Sequence, residues 1–559
     1  MSNPAESRAA GVNRRSFLRV GALAGSSLAL RSGQASACSM TEHKGVSGDS
    51  PPFQVFDRTW ELDEATIADL QRKMTAGEET AVSLARKYLE RIDALDRKGP
   101  ELRSVLETNP EALAIAAALD AERKAGKLRG ALHGVPVLVK DNVDTGDRMM
   151  TTAGSLVLEG AGASKDAFIV ARLREAGALV LGKTNLSEWA NFRSTRSSSG
   201  WSGRGGQCRN PYALDRNTSG SSSGTGAAIA ANLGAAGVGS ETDGSIVSPA
   251  NNCGLVGVKP TVGLLSRSGI IPISRTQDTA GPMTRTVRDA AIMLSAMAGV
   301  DANDPATTPS AAHAKRDYTQ YLDPNGLKGA RIGIARKKLF GYNPWADRIA
   351  TDAIDVMNRL GAIVVDPADI TTINGLGDSE FEVLLFEFKA GLNTYLAARG
   401  GPVKSLKEAI AFNEQHKDRE MPYFGQEIFE MAEKKGPLTD PKYLRALAKC
   451  RRLSRTLGID AVMAAHSLDA LVCPTGAPTW LTDLVNGDHD TGGSSTVPAI
   501  AGYPHITVPA GFAFGLPVGV SFIGRPWSEP TLLKLAFAFE QATNARRAPK
   551  FLGTAALEA

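Results

Sequence analysis

"TSGSSSGTGAAIAANLGAAGVGSETDGSIVSPANNCG", Thr218 to Gly254, places two small-residue loops at either end of one helix–strand unit. The middle, "AAIAANLGAAGVGSETD" at 227–243, reads as an Ala-rich helix running into a strand. A serine–glycine loop precedes it, "SGSSSGTG" from Ser219 to Gly226. A second loop follows, with Thr-Asp-Gly directly before Ser245. Such loops are either flexible linkers or tight backbone cradles. Glycine lets a chain turn and come close to a ligand, so that successive N–H groups can point at one spot. That is the donor array an oxyanion requires in acyl transfer.

Working outward, "GVPVLVKDNVDT" (134–145) reads as a buried strand ending at Lys140. "DAFIVARLREAGALVLGKTN" (166–185) repeats the pattern, an amphipathic helix into a strand at Ala178–Leu181. Further upstream, "EETAVSLARKYLERIDAL" puts Val82, Ala85, Leu89 and Ile92 on one helical face. In "NPEALAIAAALDAERKAGK", Asn109 is expected as N-cap with Pro110 at the first helical position. Residues 300–480 change texture, with long charged helices such as "DPKYLRALAKCRRLSRTLGIDAVMAAH". Strand texture returns at "HITVPAGF" and "LPVGVSFIG", before the helix "EPTLLKLAFAFEQAT". Strands alternating with helices predict an α/β fold, a mixed sheet covered by helices. The reading is one large domain over 59–545, a helical insertion at about 300–480 that shapes the substrate pocket, and a C-terminal tail at 546–559.

The first 37 residues read as an export signal and not as fold. Arg14–Arg15 precede Phe17–Leu18, an apolar stretch runs from Val20 to Leu30, and "ASA" at 35–37 offers a small-residue cleavage site. The apolar stretch is too short to span a bilayer. A periplasmic or secreted protein is expected, with a leader linker at 38–58 and a possible lipid anchor at Cys38. Of 63 basic and 59 acidic side chains, five arginines and Glu6 belong to this signal. The remaining 58 and 58 balance, which removes the electrostatic case for nucleic-acid binding. The five cysteines (38, 208, 253, 450, 473) are scattered without ligand spacing, so no metal or cofactor is expected and free buried thiols are the default. No stretch reads as a membrane span.

Ser245, the serine–glycine loop and Lys140 carry the chemistry, and each also has a bland reading as a turn residue or a strand terminator. "GSSSG" at 220–224 matches G-x-S-x-G with Ser222 central, so a histidine-based hydrolase stays open on spacing alone. No histidine among the seven sits in a recognisable triad motif.

The run from "GVPVLVKDNVDT" through "NPYALDRNTSGSSSGTGAAIAANLGAAGVGSETDGSIVSPANNCGLVGVKPTVGLLS" and "GIIPISRTQDTAGPMTRTVRDAA" resembles the amidase signature family. The likeness returns at "DALVCPTGAPTW" and "AGYPHITVPAGFAFGLPVGVSFIGRPWSE", and covers about residues 60–540. "ETDGSI" is similar to the exported peptide amidases of that family. The resemblance implies a serine amidase working through an acyl-enzyme, with Ser245 as nucleophile, Ser221 as the bridging serine beside a cis peptide bond, and Lys140 as base. It implies an oxyanion hole from the backbone N–H groups of Thr242, Asp243, Gly244 and Ser245, and a supporting hydroxyl at Ser222. Val247 and Ser248 stand where many members carry an arginine, a departure that bears on substrate choice. The leading expectation is release of ammonia from C-terminal peptide amides. Alternatives are an aryl-acylamide or carbamate hydrolase, a component of tRNA transamidation (against which the export signal argues), and a non-catalytic periplasmic binding protein.

Overall fold

The structure is a computed structural model and describes residues 60–557. The export signal and the whole leader linker, Cys38 included, lie outside the described residues. Thirteen strands form among the described residues. They are β1 (Val105–Thr108), β2 (Pro136–Lys140), β3 (Leu179–Thr184), β4 (Trp201–Ser202), β5 (Gly206–Gln207), β6 (Ala236–Glu241), β7 (Val256–Lys259), β8 (Thr279–Thr284), β9 (Arg331–Ile334), β10 (Ile363–Val365), β11 (Ala470–Pro474), β12 (His505–Ala513) and β13 (Leu516–Ile523). Eleven build one mixed sheet in the order β1-β3-β2-β6-β8-β7-β12-β13-β11-β9-β10, and β4 and β5 pair separately. The α/β class expected from the sequence is what forms.

At the sheet's heart β3, β2 and β6 run parallel, with Val137 opposite Ala236 and Val139 opposite Val238. Every residue of these three strands is buried, which is why they read as unbroken apolar or small-residue runs rather than alternating ones. Parallel neighbours end at the same edge, so Lys140 and Ser240–Glu241 arrive side by side. The helix Ser223–Ala230 packs on β2, β3 and β6, and its N-terminal serines come to that same edge. This is where ligands bind in open α/β sheets, outside the carboxyl ends of the strands.

Local expectations met the tertiary structure with mixed results. The helix Ala81–Ile92 forms behind a Thr80 N-cap, but its buried face is Ala81, Leu84, Ala85, Tyr88 and Ile92, with Val82 and Leu89 only half-buried. Asn109 is not an N-cap: the helix begins at Ala112. The Asn109 side chain instead accepts from the Glu111 N–H and donates to Val180 O on β3, binding the chain to the sheet. The 300–480 stretch is helical over Pro344–Arg359 and Gly377–Arg399, yet it also supplies β9, β10 and β11 to the sheet edge. The segment after 545 is tied down. Arg546 makes two bonds to the Glu64 carboxylate at 2.7 and 2.8 Å and reaches Gly254 O at 2.6 Å. Cys208, Cys253, Cys450 and Cys473 are buried and unpaired. No helix among the described residues is long and apolar enough to cross a membrane.

Candidate active site

Lys140 is wholly buried where β2 ends. Its Nζ lies 2.8 Å from Ser221 Oγ, 3.0 Å from Ser240 Oγ and 3.2 Å from Ser240 O. Ser240 Oγ also accepts from Asn142 Nδ2 at 2.8 Å. These partners suit a neutral amine. Two N–H bonds can go to Ser240 O and Oγ, leaving the lone pair for the Ser221 hydroxyl. Burial disfavours the ammonium and pulls the lysine down to about 7, partly opposed by the negative charges of Glu241 and Asp278.

Ser221 follows a cis Gly220–Ser221 peptide bond, and its carbonyl accepts from the Ser187 N–H. The next residue, Ser222, donates its backbone N–H to Ser245 O at 3.1 Å. The Ser222 hydroxyl donates to Ser240 O at 3.1 Å and accepts from the Ser240 N–H at 3.2 Å. Both lysine-bearing and serine-bearing segments therefore meet at Ser240. Gly239 is needed beside it, because a Cβ there would stand 2.9 Å from Ser222 Oγ and 2.9 Å from Met283 Sδ.

The loop 242–246 between β6 and the short helix Val247–Asn252 is held from three sides. Glu241 Oε2 accepts from the N–H groups of Ile246 (2.8 Å) and Val247 (3.1 Å). Thr242 Oγ1 donates to Asp278 Oδ1 at 2.6 Å, and Ser495 Oγ donates to Asp243 Oδ1. Gly244 takes the left-handed region at φ 83°, and a Cβ there would sit 2.8 Å from Ser495 Oγ. Among the described residues, the N–H groups of Asp243, Gly244 and Ser245 have no protein acceptor. Ser245 itself is buried at 8% exposure.

The structure gathers Lys140, Ser221, Ser222 and the 242–245 loop at one sheet edge. It also adds residues that sequence reading passed over. Ser240 and Asn142 both touch the lysine's environment, and Asp278 and Ser495 fix the loop. Asn142 stood in plain sight two positions after Lys140 in "KDN". Asp278 and Ser495 come from 36 and 252 residues away from their partners, and no local pattern announces them.

No described histidine meets Ser222. His505 is buried against Ser521 Oγ at 2.6 Å and is pushed down to about 3 by desolvation. His133 bonds to Leu119 O, and His313 and His416 stack on Trp527 and Phe412.

A buried lysine hydrogen-bonded to a serine thus shares one sheet edge with a loop whose N–H groups have no protein acceptor among the described residues. The amidase family model matches residues 83–533, and the chain belongs to the amidase family. It is an amidohydrolase acting on amides. A probable amidase of Arabidopsis thaliana is 44% identical over 504 residues, covering 88% of this chain and 93% of that one. The solved peptide amidase of Stenotrophomonas maltophilia is 51% identical with a TM-score of 0.85, covering 88% of this chain and 99% of its own. A solved amidase family protein of Bacillus anthracis is 38% identical with a TM-score of 0.79, covering 88% of this chain and 93% of its own.

Proposed function

We propose that the protein removes ammonia from C-terminal peptide amides through an acyl-enzyme on Ser245. In this reading neutral Lys140 takes the proton of Ser221, Ser221 takes that of Ser245, and Ser245 Oγ attacks the carboxamide carbon. The oxyanion is met by the N–H groups of Thr242, Asp243, Gly244 and Ser245. As the C–N bond breaks, the proton returns along the same relay to the leaving nitrogen and ammonia departs. Water then attacks the ester, giving the free C-terminal carboxylate and restoring Ser245. Ser222 supports the relay by holding Ser240, the residue that orients the lysine.

The observation that carries this reading is the 2.8 Å contact between Lys140 and Ser221, made by a lysine whose burial brings it to about 7. The preference for peptide amides is supported by the 51% identity to the Stenotrophomonas peptide amidase. Export by a twin-arginine signal, with or without lipid at Cys38, is part of the same proposal and rests on residues 1–38. Fractionation of producing cells, with Arg14→Lys/Arg15→Lys as control, tests it: retention of the wild type in the cytosol contradicts export.

The function itself is tested by ammonia release from a blocked dipeptide amide. Wild type is expected to be active, and Ser245→Ala, Ser221→Ala and Lys140→Ala to lose ~10³-fold or more each while remaining folded. Full activity in Lys140→Ala would sink the relay. A wild type that cleaves only anilides or carbamates would sink the substrate.

A further inference from the structure

Gln277 is buried, and its side-chain Nε2 stands between two acceptors, 3.3 Å from Thr242 O and 3.0 Å from Glu380 Oε1. An amide nitrogen carries two hydrogens, one for each, and the carbonyl end of the side chain could not serve the backbone oxygen of Thr242. Gln277 thus ties the loop that precedes Ser245 to the helix Gly377–Arg399.

The turn around Gln277 is gripped by the same helix. Glu387 Oε2 accepts from Ser274 Oγ at 2.5 Å, from the Thr276 N–H at 3.1 Å and from Thr276 Oγ1 at 3.0 Å. Its other oxygen accepts from Tyr443 OH at 2.6 Å. Glu380 and Glu387 lie about two helical turns apart and so share one face. Both are buried, and burial of a carboxylate is unfavourable unless hydrogen bonds offset it. From within the turn, Asp278 Oδ1 accepts from the Thr242 hydroxyl, while Oδ2 accepts from the N–H groups of Ile273 and Ser274. Thr242 is therefore held twice, its side chain by Asp278 and its carbonyl by Gln277.

The carbonyl matters because of the peptide group it belongs to. The Thr242–Asp243 peptide is trans, so its C=O and its N–H point to opposite sides of one plane. Fixing the carbonyl fixes the direction of the Asp243 N–H, which has no protein acceptor among the described residues. A hydrogen bond to the carbonyl also polarises the group and strengthens its N–H as a donor. We propose that Gln277, oriented by Glu380, is a positioning residue that aims the Asp243 N–H at the developing oxyanion. Donors fixed in advance stabilise that charge without reorganising as it forms. The proposal rests on the acyl-enzyme reading above and deepens it: the helix Gly377–Arg399 reaches the reaction through this one amide.

Gln277→Met keeps the side chain's length and removes the donor. Its kcat and KM are measured for ammonia release from a blocked dipeptide amide. Inhibition constants are measured for the matching peptide aldehyde, whose hemiacetal with Ser245 puts an oxygen where the oxyanion forms, and for the matching alcohol, which makes no adduct. Gln277→Met is expected to lower kcat about tenfold with KM within about twofold, and to weaken the aldehyde by the same factor while the alcohol stays within about twofold. A merely structural role would lower Tm and move both inhibitors alike. Wild-type kcat in Gln277→Met, or equal losses for aldehyde and alcohol, would overturn the proposal and leave the chemistry of Ser245 standing. Glu380→Met repeats the comparison with Gln277 in place, and covers the case in which Gln277→Met does not fold. It is expected to lose about threefold in kcat and in aldehyde affinity, and Glu380→Gln, which keeps an acceptor, to stay within about twofold of wild type. A folded Glu380→Met with both quantities unchanged would overturn the proposal as well. A wild type that binds the aldehyde no tighter than the alcohol would overturn the acyl-enzyme reading itself, and the proposal with it.

Discussion

At the scale of single residues, the proposed relay requires a lysine that can act as a base near neutral pH. Lys140 owes its neutrality to burial, and three oxygens around Nζ hold it in place. With its ordinary value of 10.5 lowered to about 7, the active neutral form is depleted below that pH. The expected pH profile of kcat/KM therefore rises with pH, levelling off above about 7, and a flat profile from pH 5 to 9 would contradict the assignment. The effect on stability has the same origin. Between about 7 and 10.5 the unfolded chain binds a proton that the folded one does not, so this group favours folding more as pH rises through that window. Ser222 gives a second check. Its hydroxyl serves only Ser240, so Ser222→Ala should lower stability by about 1–3 kcal/mol and reduce activity far less than Ser221→Ala. Comparable collapse of both variants in ammonia release would instead favour Ser222 as nucleophile.

Elements set the geometry that these residues exploit. The parallel register of β2 and β6 delivers Lys140 beside Ser240, and Glu241 at the end of β6 caps the two N–H groups that open the next helix. Glu241 also biases the lysine toward its charged form. Removing that charge in Glu241→Gln is expected to move the acid limb of the kcat/KM profile to lower pH, and a shift upward would refute the coupling. Gly244 is needed for its left-handed backbone and its closeness to Ser495. Gly244→Ala should cost ~1–2 kcal/mol and, if the loop N–H groups are the proposed oxyanion donors, lower kcat more than it raises KM.

The same scale shows what a sequence can reveal. β2 was legible because five buried residues in a parallel strand leave an apolar run ending at a charge. The cradle was legible because glycine and serine cluster there for backbone reasons. β9 and β10, of four and three residues, were not, because strands this short carry too little alternation to read, and β10 lies partly exposed at the sheet edge. Asn109 looked like a cap but bonds instead to a strand 71 residues away, a tertiary partner no local pattern specifies. Ser240, Asp278 and Ser495 escaped for the same reason: their roles exist only once distant loops have met. The family resemblance assigned roles to residues whose spacing alone had left two mechanisms open.

Across the whole molecule, the chain ends stabilise the frame around the site. Glu64 near the start of the described residues pairs with Arg546 near the end, and Arg546 also reaches Ala230 O and Gly254 O, on either side of β6. Arg546 brings the Glu64 carboxyl down to about 2 against the opposing desolvation. That depressed value means the pair stabilises the fold above about 4.5, the ordinary value, and loses its contribution as pH falls toward 2. Arg546→Ala is expected to cost roughly 2 kcal/mol, read as a lower Tm at pH 7 with kcat unchanged, and a difference that shrinks in acid. An unchanged Tm at neutral pH would contradict the assignment.

The central claim is that Ser245 carries the acyl group and depends on Ser221 and Lys140 to do so. The most direct measurement is intact mass and peptide mapping after rapid acid quench of enzyme mixed with a p-nitrophenyl ester of a blocked dipeptide, an acyl donor reactive enough for the intermediate to accumulate. The account predicts an adduct of one acyl group on the peptide containing Ser245, absent from Ser245→Ala and strongly reduced in Ser221→Ala and Lys140→Ala. An adduct on Ser222, or an adduct on Ser245 formed equally fast without Lys140, would contradict it.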